Sequence, residues 1–316
     1  MRVAGVTYIR KKKHNGGIKL IKLIFTFLIL AVIVSAAITL TSAWNIIHPS
    51  RQIADNAAVA SLDFREIKFL DGSEELVLDG WFFEQKDNKD TVILIHGYGQ
   101  NRLPLGNDTV KLIKSLYDAG YSILTFDLRN SGTSEGRITT FGNLECNDVI
   151  GAINYVKTQG AENIFLMGFS TGASTAVLAS LQVETGIRAL VLDTPYDNLD
   201  IYLKAYIVKN SNLPGFPFKW TVPYAIKRLS GTEDLTVDLK EEIQDLKNIP
   251  VLFIHSVNDS LLPSDCSIEL YNRLTEKGGS GALMNTEAPG HAQSFSANPE
   301  KYIREVIVFL EKHRNQ

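Results

Sequence analysis

Acidic residues are missing from the first 54 positions, where eight Lys and Arg stand without one Asp or Glu. The rest of the chain holds 24 basic residues against all 35 acidic ones, a formal charge of −11. So acidic a domain argues against nucleic acid as a partner. Cysteine is scarce as well. Cys146 and Cys266 stand alone, with no C-x-x-C pair and no His/Cys cluster, so no zinc-site pattern is present. Two unpaired thiols are favoured over one long-range disulfide. Internal repeats and low-complexity segments are also lacking.

What the N-terminus does have is one long apolar run. Leu23 to Ile47, LIFTFLILAVIVSAAITLTSAWNII, contains no charged side chain. About twenty such residues in a helix cross a ~30 Å hydrocarbon core. Arg2, Arg10, Lys11, Lys12, Lys13, Lys19 and Lys22 precede the run, and only Arg51 closely follows. The positive-inside rule then makes residues 1–22 a cytoplasmic tail and puts the C-terminal bulk outside the cell membrane. The expected layout is a span over 23–44, a juxtamembrane linker over 45–60 and a folded domain over 61–316, with Trp44 at the outer interface. A cleaved signal peptide is the rival reading, with Thr41 to Ala43 as a weak cleavage site. A buried core helix fits poorly, because the run is apolar on every face.

From Asp63 onward strands and helices alternate. DFREIKFL and ELVLDGWFFE read as two strands about the turn DGSE. TVILIHG, YSILTFDLR, NIFLMG, IRALVLD and VLFIHS read as buried strands, ALMNTE as a weaker last one. Helical spacing fills Asn107 to Ala119, Asn143 to Thr158, a stretch from Thr171, and Pro299 to Lys312. The pattern predicts an α/β fold, a mostly parallel sheet with helices on both faces and its site at the carboxyl ends of the strands. Residues 196–248 break the rhythm. They hold Pro214, Pro217 and Pro223 and seven aromatic residues between Tyr196 and Tyr224, and read as a helical cap.

Ser170 stands at the joint between NIFLMG and the following helix, fenced by Gly168 and Gly172. A strand reversing into a helix within one or two residues needs a tight turn. The glycines remove β-carbons that would collide there. This is the G-x-S-x-G pattern of an exposed nucleophile, and the helix from Thr171 aims N–H groups at the site. A serine hydroxyl needs a base. His14 lies in the basic tail, His48 beside the membrane and His313 near the end, while His96 and His255 end apolar strands. His291, in the loop APGHAQSF, remains. Asp259, in HSVNDSLLP, is the candidate to orient it, with Asp193 at the end of ALVLD as rival. The N–H groups of Thr171 and of Tyr98, in the loop HGYGQN, are the candidate oxyanion donors.

In order, HGYG, FDLRNSGTSEG, GFSTG, HSVNDSLLP and PGH resemble the α/β-hydrolases, across Asp63 to the C-terminus. The closest likeness is to bacterial prolyl-oligopeptidase-like or serine-aminopeptidase-like hydrolases, which include membrane-anchored extracytoplasmic members. The resemblance implies a triad of Ser170, Asp259 and His291, oxyanion donors at Tyr98 and Thr171, and a cap between the sixth and seventh strands. The chain departs from the family at Asn130 and Ser131, where Gly-His is common, and at Ser256 and Ala173, where glycine is. None of these removes a group the chemistry needs. Asp127 and Arg129 read as loop braces.

The expected function is a membrane-anchored serine hydrolase of carboxylic esters or thioesters, with a small-molecule or lipid-like acyl substrate and no metal or cofactor. A serine peptidase on the same fold is the alternative, for which Glu233 and Asp234 are the nearest acids to read an amino terminus. A non-catalytic binding protein is the second alternative. In the cap, Phe216, Phe218 or Trp220 is expected to border the acyl pocket.

Overall fold

The computed structural model describes residues 16–86, 88–232 and 236–314. The charge-free run lies in one long helix, α1 (Gly16–Ile47), followed by a 3-10 turn at Asn56–Val59. The sheet then opens with β1 (Arg65–Leu70) and β2 (Val77–Phe83), and continues through β3 (Asp90–Ile95), α2 (Asp108–Asp118), β4 (Ser122–Phe126), α3 (Glu145–Thr158), β5 (Asn163–Phe169), α4 (Thr171–Ser180) and β6 (Ile187–Asp193). The cap follows as α5 (Leu199–Asn210), α6 (Gly215–Leu229) and the short α7 (Leu239–Glu242). The chain returns through β7 (Val251–Ser256), α8 (Asp265–Glu276), β8 (Gly281–Thr286), α9 (Ser294–Ala297) and α10 (Pro299–Lys312).

The eight strands lie in the order β1-β2-β4-β3-β5-β6-β7-β8. β2 runs antiparallel to both β1 and β4, and every other pairing is parallel. Successive side chains of a strand point to opposite faces. Ile93 and Ile95 of β3 therefore join the core under α3, α4 and α8, while Val92 and Leu94 join the core under α2 and α10. Both faces are covered, which is why β3 is buried throughout and reads as a continuous apolar run. The order reverses at β3. β4 lies on one side of it and β5 on the other, and ligands bind at such a switch point, beyond the carboxyl ends of the strands.

The N-terminal helix is longer than a membrane requires. Its 32 residues span about 48 Å at 1.5 Å per residue, against a ~30 Å hydrocarbon core. From Gly16 to Ile38 the side chains are exposed apart from half-buried Ser35, whereas Thr39, Ala43, Ile46 and Ile47 are buried against the rest of the protein. Thr39 Oγ1 lies 2.9 Å from Thr221 Oγ1 of α6. The Tyr98 hydroxyl donates to the Ile46 carbonyl at 2.8 Å, and the Thr139 N–H to the Ile47 carbonyl at 2.9 Å. The last two turns of the helix, which overlap the end of the expected span over 23–44 and the start of the expected linker over 45–60, are thus docked on the domain that follows. Beyond them Arg51 donates to the Ser134 and Gly136 carbonyls, and Val59 is fully buried. Residues 1–15 of the basic tail, and Glu233 and Asp234 of the cap, lie outside the described residues.

Candidate active site

Ser170 follows directly on β5 and is the cap residue of α4, with φ 52° and ψ −123°. That left-handed φ is strained for a residue with a side chain. Close contact on both sides explains the glycines. A β-carbon on Gly168 would stand 2.5 Å from Ala173 Cα, and one on Gly172 would stand 2.4 Å from the His96 carbonyl oxygen. Both neighbours are backbone, so strand, turn and helix close up only without those carbons. The Ser170 N–H donates to the Asp193 carbonyl at 2.8 Å, which pins the turn to β6.

Three loops converge on the Ser170 hydroxyl. His291, in the segment after β8, puts Nε2 2.6 Å from Ser170 Oγ. Its Nδ1 lies 3.0 and 3.1 Å from the two oxygens of Asp259, in the loop after β7. The carboxylate is fully buried and otherwise accepts the N–H groups of Leu261 at 2.7 Å, Leu262 at 2.8 Å and Ala292 at 3.3 Å. Burial alone would raise the Asp259 pKa. The hydrogen bond and charge of His291, with the Leu262 and Leu261 N–H groups, outweigh it and hold the carboxyl below the ordinary carboxylate range. An ionised Asp259 keeps the ring proton on Nδ1, so Nε2 is free to accept from the serine.

Asp193 is engaged elsewhere. Its carboxylate accepts the Tyr302 hydroxyl at 2.8 Å and the Thr194 hydroxyl at 2.9 Å, and burial pushes its pKa up to about 6. His96 and His255 are engaged too. His96 donates from Nδ1 to the Gly97 carbonyl and accepts the Leu128 N–H at Nε2. His255 accepts the Ser267 hydroxyl at Nδ1 and donates from Nε2 to the Leu262 carbonyl. Burial holds both imidazoles below the ordinary range. Asp127 pairs with Arg102 at 2.5 Å, and Arg129 with Asp148 at 2.6 Å and Asp71 at 3.1 Å, all buried and away from the serine.

The loop after β3 supplies the opposite wall. A β-carbon on Gly97 would lie 3.2 Å from Ser170 Cβ, so the His96–Gly99 backbone runs against the nucleophile. The N–H groups of Tyr98 and Thr171 donate to no protein acceptor among the described residues, which leaves both available to an oxyanion. The Tyr98 side chain turns away, stacking on Phe141 and meeting Tyr206 edge-on.

Above Ser170 lies a cavity of about 1010 Å³. Its apolar walls are Leu105, Phe169, Leu261 and Phe295, with Tyr202 and Tyr206 of α5 overhead. Tyr202 also interacts with Ser170 through its hydroxyl, whose pKa burial raises. Pro49, Ser50 and Gln52, just past α1, form part of the rim. The three rings expected here are not among the lining residues. Phe218 is buried in the core with Val222 and Ile226, while Phe216 and Trp220 are 80% and 48% exposed. The reason is the run of α6 along α1. Its inward face is spent on packing, and the other rings point away from the domain. Tyr202 and Tyr206, four apart on the first cap helix after β6, were the sequence signal for the pocket.

Comparison with known proteins fits this arrangement. A family model described as alpha/beta hydrolase fold matches residues 90–216. The uncharacterized protein YqkD of Bacillus subtilis is 28% identical over 237 residues, covering 74% of this chain and 75% of its own. The lysophosphatidylserine lipase ABHD12 of Rattus norvegicus is 27% identical over 193 residues, which are 58% of this chain and 45% of that protein. The chain thus spans under half the length of that lipase. Among solved structures, the esterase Pf2001 of Pyrococcus furiosus superposes with a TM-score of 0.70 at 24% identity, over 85% of this chain and 98% of that one.

Proposed function

For this member of the α/β-hydrolase superfamily we propose a membrane-anchored serine hydrolase that cleaves carboxylic esters of apolar, lipid-like acyl groups outside the cell. The observation that carries the reading is the relay from Ser170 Oγ through His291 to Asp259, with hydrogen-bond distances of 2.6 and 3.0 Å. In the first step Ser170 Oγ bonds to the acyl carbon as His291 Nε2 takes its proton. The carbonyl oxygen gains the negative charge and meets the Tyr98 and Thr171 N–H groups. Collapse breaks the bond to the alcohol, which leaves with the proton from Nε2. Water, deprotonated by the same nitrogen, then releases the acid and restores the serine. Asp259 keeps the tautomer and balances the imidazolium.

Ester rather than peptide cleavage is favoured by the cavity. Its lining holds one carboxylate, Asp108, and one amine, Lys209, among mostly apolar and neutral groups. Its volume is at the upper end of the roughly 300–1,000 Å³ that suits small-molecule ligands, enough for a long acyl chain. The lipase and esterase names of two relatives point the same way. The anchor reading is supported by α1, long and apolar enough to cross a membrane, and the cationic flank before it favours an outer catalytic domain by the positive-inside rule.

A fluorophosphonate probe tests the reading. Native protein should be labelled, and Ser170→Ala should lose both labelling and ester turnover while still folding. Labelling that survives in that variant would remove Ser170 from the mechanism.

A further inference from the structure

Helix α6 has two faces, and the fold uses one. Phe218, Val222, Ala225 and Ile226 face inward, in the same core as Ala43 and Ile46 of α1. Trp220 and Tyr224, four apart, face outward with exposures of 48% and 62%, and Phe216, in extended backbone at the kink where the helix opens, is 80% exposed. Phe216 meets Trp220 edge-on at 6.0 Å between ring centroids. Lys219 Nζ stands 4.2 Å from the Trp220 ring, and the Arg228 guanidinium 5.4 Å from the Tyr224 ring. The helix sequence GFPFKWTVPYAIKRL holds three cations and no carboxylate, although the chain after residue 54 carries a formal −11. Solvation accounts poorly for three large exposed rings in a row, and charge alone does not account for a purely cationic helix in an acidic domain.

Position supplies the second, independent observation. Thr221, next to Trp220, meets Thr39, and Thr39 lies inside the charge-free run of α1. The outward face of α6 is therefore at the level where α1 leaves the hydrocarbon, with half-exposed Trp44 just beyond it. Aromatic rings and cations collect at that depth, the rings at the acyl boundary and the cations among anionic headgroups.

We infer that α6 is an interfacial helix whose outer face lies in the headgroup layer of the bilayer that α1 crosses, its Lys219, Lys227 and Arg228 meeting anionic lipid. The inference rests on reading α1 as the anchor. It gives the substrate a route. Pro49, Ser50 and Gln52 belong both to the segment leaving the membrane and to the cavity rim. With α1 and α6 both fixed at the surface, the cavity mouth opens beside the bilayer, and a lipid ester reaches Ser170 without crossing bulk water.

The test uses the full chain with Trp44→Phe, reconstituted in phosphatidylcholine vesicles with or without phosphatidylglycerol. Trp81 is fully buried, so Trp220 reports the surface. Its emission should be quenched more by lipids brominated high on the acyl chain than by lipids brominated near the methyl end. The quenching should deepen with phosphatidylglycerol. In the Trp44→Phe background, Phe216→Ser and Tyr224→Ser together should lessen that quenching. The same pair should leave hydrolysis of a soluble acetyl ester unchanged, since neither ring touches the cavity. Emission untouched by bromolipid, in a chain that resists carbonate extraction, would overturn the inference alone and give the face to water or a protein. A chain that carbonate removes from the vesicles would overturn the anchor reading and this inference with it.

Discussion

Replacing Asp259 with Asn tests the relay at its least accessible member. The two carboxylate oxygens of Asp259 are not equivalent. Oδ1 accepts the Leu261 and Leu262 N–H groups at 2.7 and 2.8 Å, so the asparagine carbonyl is held there. The amide NH2 must then take the place of Oδ2, facing His291 Nδ1 at 3.0 Å and the Ala292 N–H at 3.3 Å. His291 Nδ1 keeps the amide oxygen at 3.1 Å but exchanges its second acceptor for an NH2 and loses the carboxylate charge, which shifts the ring proton toward Nε2, 2.6 Å from Ser170 Oγ. A ring protonated at Nε2 is no base, although every heavy atom stays in place. Such a tautomer error costs about 10⁴ in kcat in a serine protease triad, or about 5.5 kcal/mol of barrier. The opposed Ala292 N–H adds about 1–3 kcal/mol of destabilisation. Initial rates on a short p-nitrophenyl ester near neutral pH measure the first effect, and a melting curve shows that the variant is folded. Asp193→Asn is the matched control. Its carboxylate bonds Tyr302 and Thr194, and burial already pushes it toward its neutral form, so kcat should stay within about tenfold. If Asp259→Asn keeps nearly full activity and Asp193→Asn loses it, the orienting acid is Asp193 and the geometry has been misread.

His96 and His255 should each withdraw stability as pH drops below about 6.5, against an opposing gain from Asp148 and Asp193, whose pKa values burial raises to about 7 and about 6. Burial lowers the imidazole pKa of His96 and His255, so over that window the unfolded chain binds protons that the folded one does not. Each contributes about 1.4 kcal/mol per pH unit until its folded pKa is reached, and the depressed Asp259 carboxyl adds a loss of the same sign below 3.8. Urea midpoints measured from neutral pH down to about 5 isolate one imidazole: they should fall less for His255→Gln than for the native protein, and identical slopes would contradict this. Removing residues 1–38 should leave the catalytic domain stable, whereas removing residues 1–49 strips Ala43, Ile46 and Ile47 from the core. At about 1.5–3 kcal/mol for each buried isoleucine, the shorter fragment should melt several degrees lower. Equal melting temperatures would show the docked turns to be dispensable. Tyr206→Ala opens the cavity roof and should raise KM for a long acyl ester about tenfold, close to 1.4 kcal/mol, while leaving the acetyl ester nearly unchanged. Equal effects on both esters would place the ring outside the acyl path.

Sequence served best where one local rule decides. β3 to β7 were readable because strands covered on both faces must be apolar throughout. The elbow was readable because a β-carbon on Gly168 or Gly172 would stand 2.4–2.5 Å from backbone atoms, which no other residue tolerates. Side-chain direction in the cap was not readable. Seven rings in one segment show that rings are needed there. They do not show which side of a helix the domain will occupy. Only the packing of α6 on α1 decides that Phe218 enters the core while Phe216 and Trp220 leave it. The end of α1 was hidden for a related reason. Lipid and protein cores accept the same apolar side chains, so nothing in the run sets Thr39 and Ala43, buried against the rest of the protein, apart from exposed neighbours such as Leu40 and Trp44.

The two departures from the family pattern that carry polar side chains with long-range partners now have physical uses, and both tie the site to its surroundings. Asn130 takes the left-handed conformation that a glycine would, with φ 57°, and its amide also donates to the Ile47 carbonyl at 3.2 Å. Glycine there would satisfy the turn but release that contact with the end of α1. Ser256, at the end of β7, donates to the Ala288 carbonyl at 2.5 Å and accepts the Asn258 N–H at 3.2 Å. It thereby links the loop that bears Asp259 to the segment that bears His291. Tyr98 works in the same sense. Its N–H is the proposed oxyanion donor, while its hydroxyl holds the Ile46 carbonyl. The end of α1 is therefore one hydrogen bond and one residue from the proposed oxyanion site. Such a connection makes the last turns of α1 part of the framework that positions the loop after β3. It also gives a use to the turns of α1 beyond the roughly twenty residues that a bilayer would need: they reach the loop that runs against Ser170.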